Sequence, residues 1–306
     1  MEKRDRIDAF GAVSLICFSV LLGFNQVFIK VVNDGLQPVF FAGLRSAGSV
    51  LCLGLWIWVR GIGLRPTPGV WPAGVAAGAI FAFEFLLLFI ALDLTTVART
   101  SVIFYSMPVW MALGGHLLIP GERLTLQKSL GLLLAFAGVV WAILNRSGGS
   151  AAEASLMGDL FALAAAMGWA AVGLIAKGSR LKAEPPERQL LWQVTVSAPI
   201  LLVAAFFFGP FVRDLQPIHL WGLAFQIVIL VSAGFAFWFW LLSIYPAASV
   251  AAFSFLAPIF GVALGWLLLD EPIGPALLGA LALVALGLWV MNRPPRQRPG
   301  QVPQKV

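Results

Sequence analysis

Two charges stand inside stretches that are otherwise apolar. Arg45 lies in FFAGLRSAGS and Glu84 in AIFAFEFLLLF. If these stretches cross a bilayer, each charge is costly in hydrocarbon, faces the protein interior and needs a partner. Seven residues separate each from its nearer span end, which is about 10 Å at the α-helical rise. Equal depth predicts an intramembrane ion pair between Arg45 and Glu84. A fixed pair would be structural, whereas a releasable Glu84 would suit a substrate amine or a proton.

Milder polar groups share these stretches. Asn25, Gln193, Thr195, Ser197 and Ser254 can line a polar path or bond between helices. Four tryptophans, Trp110, Trp169, Trp238 and Trp240, lie away from the span ends; with Tyr105 and Phe83 they can wall a pocket for an apolar or aromatic solute. Lys30 and Lys177 sit at span ends, where snorkelling to water suffices. The 2 cysteines and 2 histidines make no metal-ligand spacing, so no metal and no cofactor are expected.

The elements that position these groups follow from composition. Hydrophobic residues make up 60% of the 306, charged residues 11%, and mean hydropathy is +0.93. A soluble domain is about 25% charged, so the expected solvent is lipid. Ten apolar segments can be drawn, at 11–32, 38–59, 70–91, 97–118, 126–145, 156–178, 188–208, 219–242, 247–269 and 273–291. Helices satisfy their own backbone in hydrocarbon, and the runs lack the alternation of a barrel strand. The charged N-terminus leads into the first run without a small-residue cleavage signature, so a retained span is expected.

The formal charge of +6 points to orientation rather than to nucleic acid. Numbering the spans puts 15 of the 20 Lys and Arg on the side of both termini, 4 on the other, and Arg45 within a span. Both termini are therefore expected in the cytoplasm.

The chain repeats itself. FYSMPVWMALGGHLLIPGERL returns as FSFLAPIFGVALGWLLLDEPI, matching Pro108 to Pro258, Gly115 to Gly265 and, after one slip, Glu122 to Glu271. GAVSLICFSVLLGFNQVFIK also matches GDLFALAAAMGWAAVGLIAK from opening Gly to closing Lys. Residues 1–146 form a first five-helix unit, 147–155 a linker, 156–293 a second unit and 294–306 a tail. Five is odd, so the second copy must insert upside down. The expected fold is an all-α membrane protein of ten transmembrane helices in two inverted five-helix repeats. Pro108 and Pro258 each remove a helical hydrogen bond. Such paired breaks point to a midplane site or a hinge, although a proline can also be a simple kink. Glu122 and Glu271 precede a helix and are expected to cap free N–H groups there.

These features resemble the drug/metabolite transporter superfamily, and within it the EamA-type bacterial exporters. LQPVFFAGLRSAGSVLCL resembles the family's Pro-then-Arg pattern in the second span. MPVWMALGGHLLIPGERLT and APIFGVALGWLLLDEPI resemble the proline-to-glutamate signature of the fourth and ninth. The resemblance covers nearly the whole chain. It implies export across the cytoplasmic membrane through a cavity lined by the first, third, fourth, sixth, eighth and ninth spans. Asn25, Glu84, Tyr105, Trp169, Trp238 and Ser254 are the positions that fit it. The overall character also resembles the branch exporting aromatic and other neutral amino acids.

The leading expectation is a secondary, alternating-access exporter of amino acids or similar small metabolites. Its partners would be solute and membrane lipid, and its working unit a monomer. No Walker A pattern occurs, so no ATP chemistry is expected. A sugar-phosphate carrier would call for buried cationic clamps, and Arg45 alone lies deep. A channel-like facilitator needs no inverted pair of broken helices. A membrane enzyme would need an acid and histidine cluster that is not visible.

Overall fold

The structure, a computed structural model, describes residues 7–122, 124–145, 155–245 and 253–292. Most of the 147–155 linker and all of the 294–306 tail lie outside the described residues.

Each span begins where the local sequence favours a helix start. Asp8 accepts from the Gly11 N–H to open α1 (Ala9–Gly35), and Gln37 accepts from Phe40 at the head of α2 (Pro38–Val59). Proline occupies the first turn of α2 and of α3 (Trp71–Leu94), where its missing N–H costs nothing. Thr96 caps α4 (Val97–Phe104), which with α5 (Met107–Leu118) makes the fourth span. Thr125 caps α6 (Leu126–Leu144), and Ser155 caps α7 (Leu156–Gly178). The second half continues with α8 (Pro186–Ala205) and α9 (Pro217–Phe225). A π-helical stretch, Gln226–Gly234, carries α9 into α10 (Phe235–Ile244). The last two spans are α11 (Leu256–Leu269) and α12 (Pro275–Asn292).

Among the described residues nine helices are long and apolar enough to cross a membrane, and α11 is a shorter apolar helix preceded by a 3-10 turn, Phe253–Phe255. The protein is an all-helical membrane protein of two inverted five-span halves. Helix packing carries the inversion. α1 packs on α11, and its counterpart α7 packs on α4 and α5. α3 packs on α7 and α8, while the eighth span packs in turn on α1 and α2. Two pairs, α2 with α8 and α6 with α12, join each helix to its own counterpart.

The described residues make one helical body around a core in which Phe41, Phe81 and Phe89 are fully enclosed. Lipid offers no hydrophobic drive for helices to meet, so close approach of small residues does this work. At Gly23 a Cβ would strike the Gly261 backbone N at 2.8 Å, so α1 and α11 cross almost backbone to backbone.

Candidate functional site

The fourth span breaks at Tyr105–Ser106, and Pro108 falls in the first turn of the helix that resumes. The ninth span changes in the same way, from the 3-10 turn to α11, with Pro258 in its first turn. Tyr105 is buried at the break, and its hydroxyl donates to the Leu22 carbonyl at 3.1 Å. Ser106 accepts from Trp110 Nε1 at 3.2 Å.

A polar cluster sits on both sides of the interface between the halves. Ser101 Oγ donates to Gln26 Oε1 at 2.7 Å, and Gln226 Nε2 donates to Asn25 Oδ1 at 2.7 Å. Gln26, Ser101, Thr100 and Gln226 are buried. Gln226 opens the π-helical stretch, a geometry frequent at functional sites. Ser101 also lies against Gly261, where any larger side chain would collide with its hydroxyl.

Glu84 is fully buried, and neither carboxylate oxygen has a hydrogen-bond partner among the described residues. Gly168 of α7 packs directly on its Cβ. The expected ion pair with Arg45 does not close. The Arg45 guanidinium lies 3.8 Å from the Phe85 ring centroid and 5.3 Å from that of Phe89. Arg45 stands level with Glu84, since Phe85 is the next residue on α3, but its guanidinium lies against the aromatic faces. The two aromatic rings then take the cation.

The aromatic residues part company. Trp169 meets Phe104 at 6.4 Å, edge to face, near the break. Trp238 stacks on Phe18 at 4.9 Å, within a separate cluster that includes Leu15, Leu241 and Tyr245. Phe83, expected beside them, is exposed. The Ser254 side chain lies outside the described residues.

The face opposite the chain's ends is sewn together across the halves. Glu271 accepts from the Val97 and Ala98 N–H groups at 2.6 and 2.8 Å. It therefore caps a helix of the other half, not the following helix as expected. Asp270, at φ 52°, turns the chain back to aim it. Arg99 donates to both oxygens of Asp159 and to the Ala142 carbonyl. Arg213 forms a two-pronged pair with Asp93 at 2.7 and 2.9 Å. That hydrogen bonding, more than the nearby charges of Asp93 and Asp34, pushes the Arg213 pKa up. Leu36 and Val212 make an isolated antiparallel bridge. Lys30, expected to reach water, donates to the Thr95 carbonyl at 2.9 Å. On the opposite face Glu122, the counterpart of Glu271, pairs with Lys177 at 2.8 Å on an open surface.

The model of the EamA-like transporter family matches the chain twice, over residues 9–144 and 156–293. The chain belongs to the EamA-like transporter family. Among EamA relatives, the uncharacterized transporter YdeK of Bacillus subtilis is 31% identical, the match covering 92% of this chain and 96% of that one. A protein of Escherichia coli named "Probable amino-acid metabolite efflux pump" is 25% identical, with 95% of each chain covered. A solved crystal structure superposes with a TM-score of 0.65 at 21% identity, covering 93% of this chain and 98% of that one. That likeness concerns the fold.

Sequence reasoning passed over three members of this EamA site. Gln226 is a lone amide in an apolar span and Gln26 stands beside Asn25 in another, and these amides in apolar surroundings are the available signal. Arg99 counts by sequence among the charges of the outer side, but at the start of α4 it is buried and turned onto Asp159 of the other half.

Proposed function

We propose that this transporter exports neutral amino acids, aromatic ones among them, or similar small metabolites across the bacterial cytoplasmic membrane by alternating access. The observation that carries the reading is the contact between Asn25 and Gln226. One comes from each inverted half; Gln226 is buried and Asn25 half-buried. A solute that binds better when the halves meet on one side shifts the equilibrium by that difference in affinity. The Lys and Arg distribution supports a cytoplasmic location for the face bearing the chain's ends. The conformation is then one closed to the exterior, through Glu271, Arg99 with Asp159, and Arg213 with Asp93.

Asn25, Glu84, Tyr105, Trp169, Trp238 and Ser254 are the proposed contacts for solute, with Pro108 and Pro258 at the flexing points. The relative named as an amino-acid metabolite efflux pump supports the solute class. A sugar phosphate is the second candidate, and the enclosure of Arg45 by Phe85 and Phe89 weighs against it. Counterflow in proteoliposomes tests the reading, with labelled neutral amino acids set against a sugar phosphate. Accumulation of amino acids is expected. Uptake of the phosphate alone would overturn it and free Arg45 for an anion.

A further inference from the structure

α2 and α8 are counterparts in the two halves, and they are joined in the middle and at both ends. In the middle, Ser197 Oγ donates to Ser46 Oγ at 3.1 Å, and a Cβ on Gly43 would stand 3.0 Å from the Leu202 backbone N. On the face opposite the chain's ends, the Gln37 N–H donates to the Phe211 carbonyl and the Arg213 N–H to the Gly35 carbonyl, both at 3.0 Å. These bonds make the Leu36–Val212 bridge, and Gln37 Nε2 closes on the Ala205 carbonyl at the end of α8. On the face bearing the chain's ends, buried Glu184 accepts from the Thr67 N–H at 2.6 Å. Arg188 pairs with Glu184 and donates to the Gly63 and Arg65 carbonyls.

The inversion relates these two ties. Residues 36–37 join the first span to the second, and residues 179–185 join their counterparts, the sixth and the seventh. Residues 60–70 and 206–216 correspond in the same way. The contact around 36–37 and 206–216 therefore maps onto the contact around 179–185 and 60–70, and both exist in one conformation. A gate behaves differently. When inverted halves exchange conformations, a contact that closes one face opens as its counterpart closes the other. Arg99 and Asp159 follow that pattern: the Pro108–Pro258 and Gly11–Gly158 matches set Ser249 and Ala12 opposite them, and neither carries a charge. Glu271 is bonded into α4, while Glu122 sits on an open surface. A tie present on both faces at once has nothing to exchange.

We infer that the α2–α8 seam stays closed at both ends throughout the cycle and is the line about which the rest of the bundle turns. The inference rests on the alternating-access reading above and deepens it. The gates open elsewhere, at the starts of α4 and α7, which carry Val97, Arg99 and Asp159. Arg213 works at the border. Its backbone N–H belongs to the seam, and its side chain reaches Asp93 near the end of α3. The second contact can part while the first holds.

The test uses the full-length protein in proteoliposomes, with Cys17 and Cys52 replaced. The hydrogen bonds of the Leu36–Val212 bridge flank the pair, a geometry with Cα atoms about 4.5 Å apart. Leu36→Cys with Val212→Cys can therefore close as a disulfide. Thr67→Cys with Glu184→Cys, joined by a short reducible bifunctional thiol reagent, replaces the other tie. Each link should leave counterflow of labelled phenylalanine within about twofold of the reduced protein, because a link alike in both states favours neither. Joining Val97→Cys to Glu271→Cys with the same reagent should lower counterflow at least about tenfold, reversibly. Arrest by either seam link, relieved on reduction, would overturn the seam and leave alternating access standing. Exchange that survives all three links would overturn both. A Val97→Cys reporter reads the same opening without any solute. A membrane-impermeant maleimide should label it equally with the first disulfide open or closed, and slower labelling on closure would overturn the seam whatever the solute.

Discussion

Glu271 and Val97, 174 residues apart in the chain, are joined by a 2.6 Å hydrogen bond between the two halves. The same carboxylate takes the Ala98 N–H, so one side chain satisfies two free donors at the start of α4. Its counterpart Glu122 is tied to Lys177 on the opposite face. Glu271→Ala should remove about 1–2 kcal/mol of capping. In a background with Cys17 and Cys52 replaced, a Val97→Cys reporter should then react faster with a membrane-impermeant maleimide. Glu122→Ala should leave that labelling unchanged, because an exposed pair contributes under about 1 kcal/mol. Equal labelling rates with and without Glu271 would remove it as a latch.

The pair Arg99–Asp159 is buried on both sides, at 2.6 Å. Removing one partner strands the other in a dry site. Asp159→Asn or Arg99→Ala should cost about 3–5 kcal/mol, and an apolar double replacement should recover most of it. Thermal melting in detergent reads the difference. Single variants as stable as the double would mean that the charges are solvated after all.

Glu84→Gln keeps the shape and removes the titration. Transport should become flat in pH where wild type varies, with the variant remaining folded. The measurement is counterflow at several pH values, imposed equally on both sides. A variant with the pH profile of wild type would strip Glu84 of any proton role.

Trp169 stands near the broken fourth span, whereas Trp238 belongs to a separate cluster. Trp169→Ala should lower phenylalanine exchange relative to alanine by about tenfold, the scale of one lost aromatic contact. Trp238→Ala should change that ratio less. Competition assays with unlabelled amino acids give both numbers, and the reverse order would relocate the aromatic wall.

Much of the fold was legible because a bilayer demands length. The second span was drawn at 38–59 and α2 is Pro38–Val59; the fourth was drawn at 97–118 and its ends agree. What escaped depends on direction rather than length. A count of residues sets Arg45 and Glu84 level, but the faces of Phe85 and Phe89 decide what Arg45 meets. Glu271 was legible as a cap and illegible in its target, since the helix it caps is remote in sequence and near only through the inversion. The π-helical stretch has no proline or polar run to announce it, since its i→i+5 bonds depend on what packs around it.

That stretch makes the two halves mechanically unequal. α3, the counterpart of the eighth span, is a continuous α-helix from Trp71 to Leu94, while Gln226–Gly234 is wound wider. Tightening by one residue to α geometry would rotate everything beyond it by about 100°. Trp238 would swing off Phe18 while Gln226, at the other end, held its place against Asn25. The eighth span thus carries the geometry of a crank, bonded at the polar cluster and held at its aromatic end by ring packing.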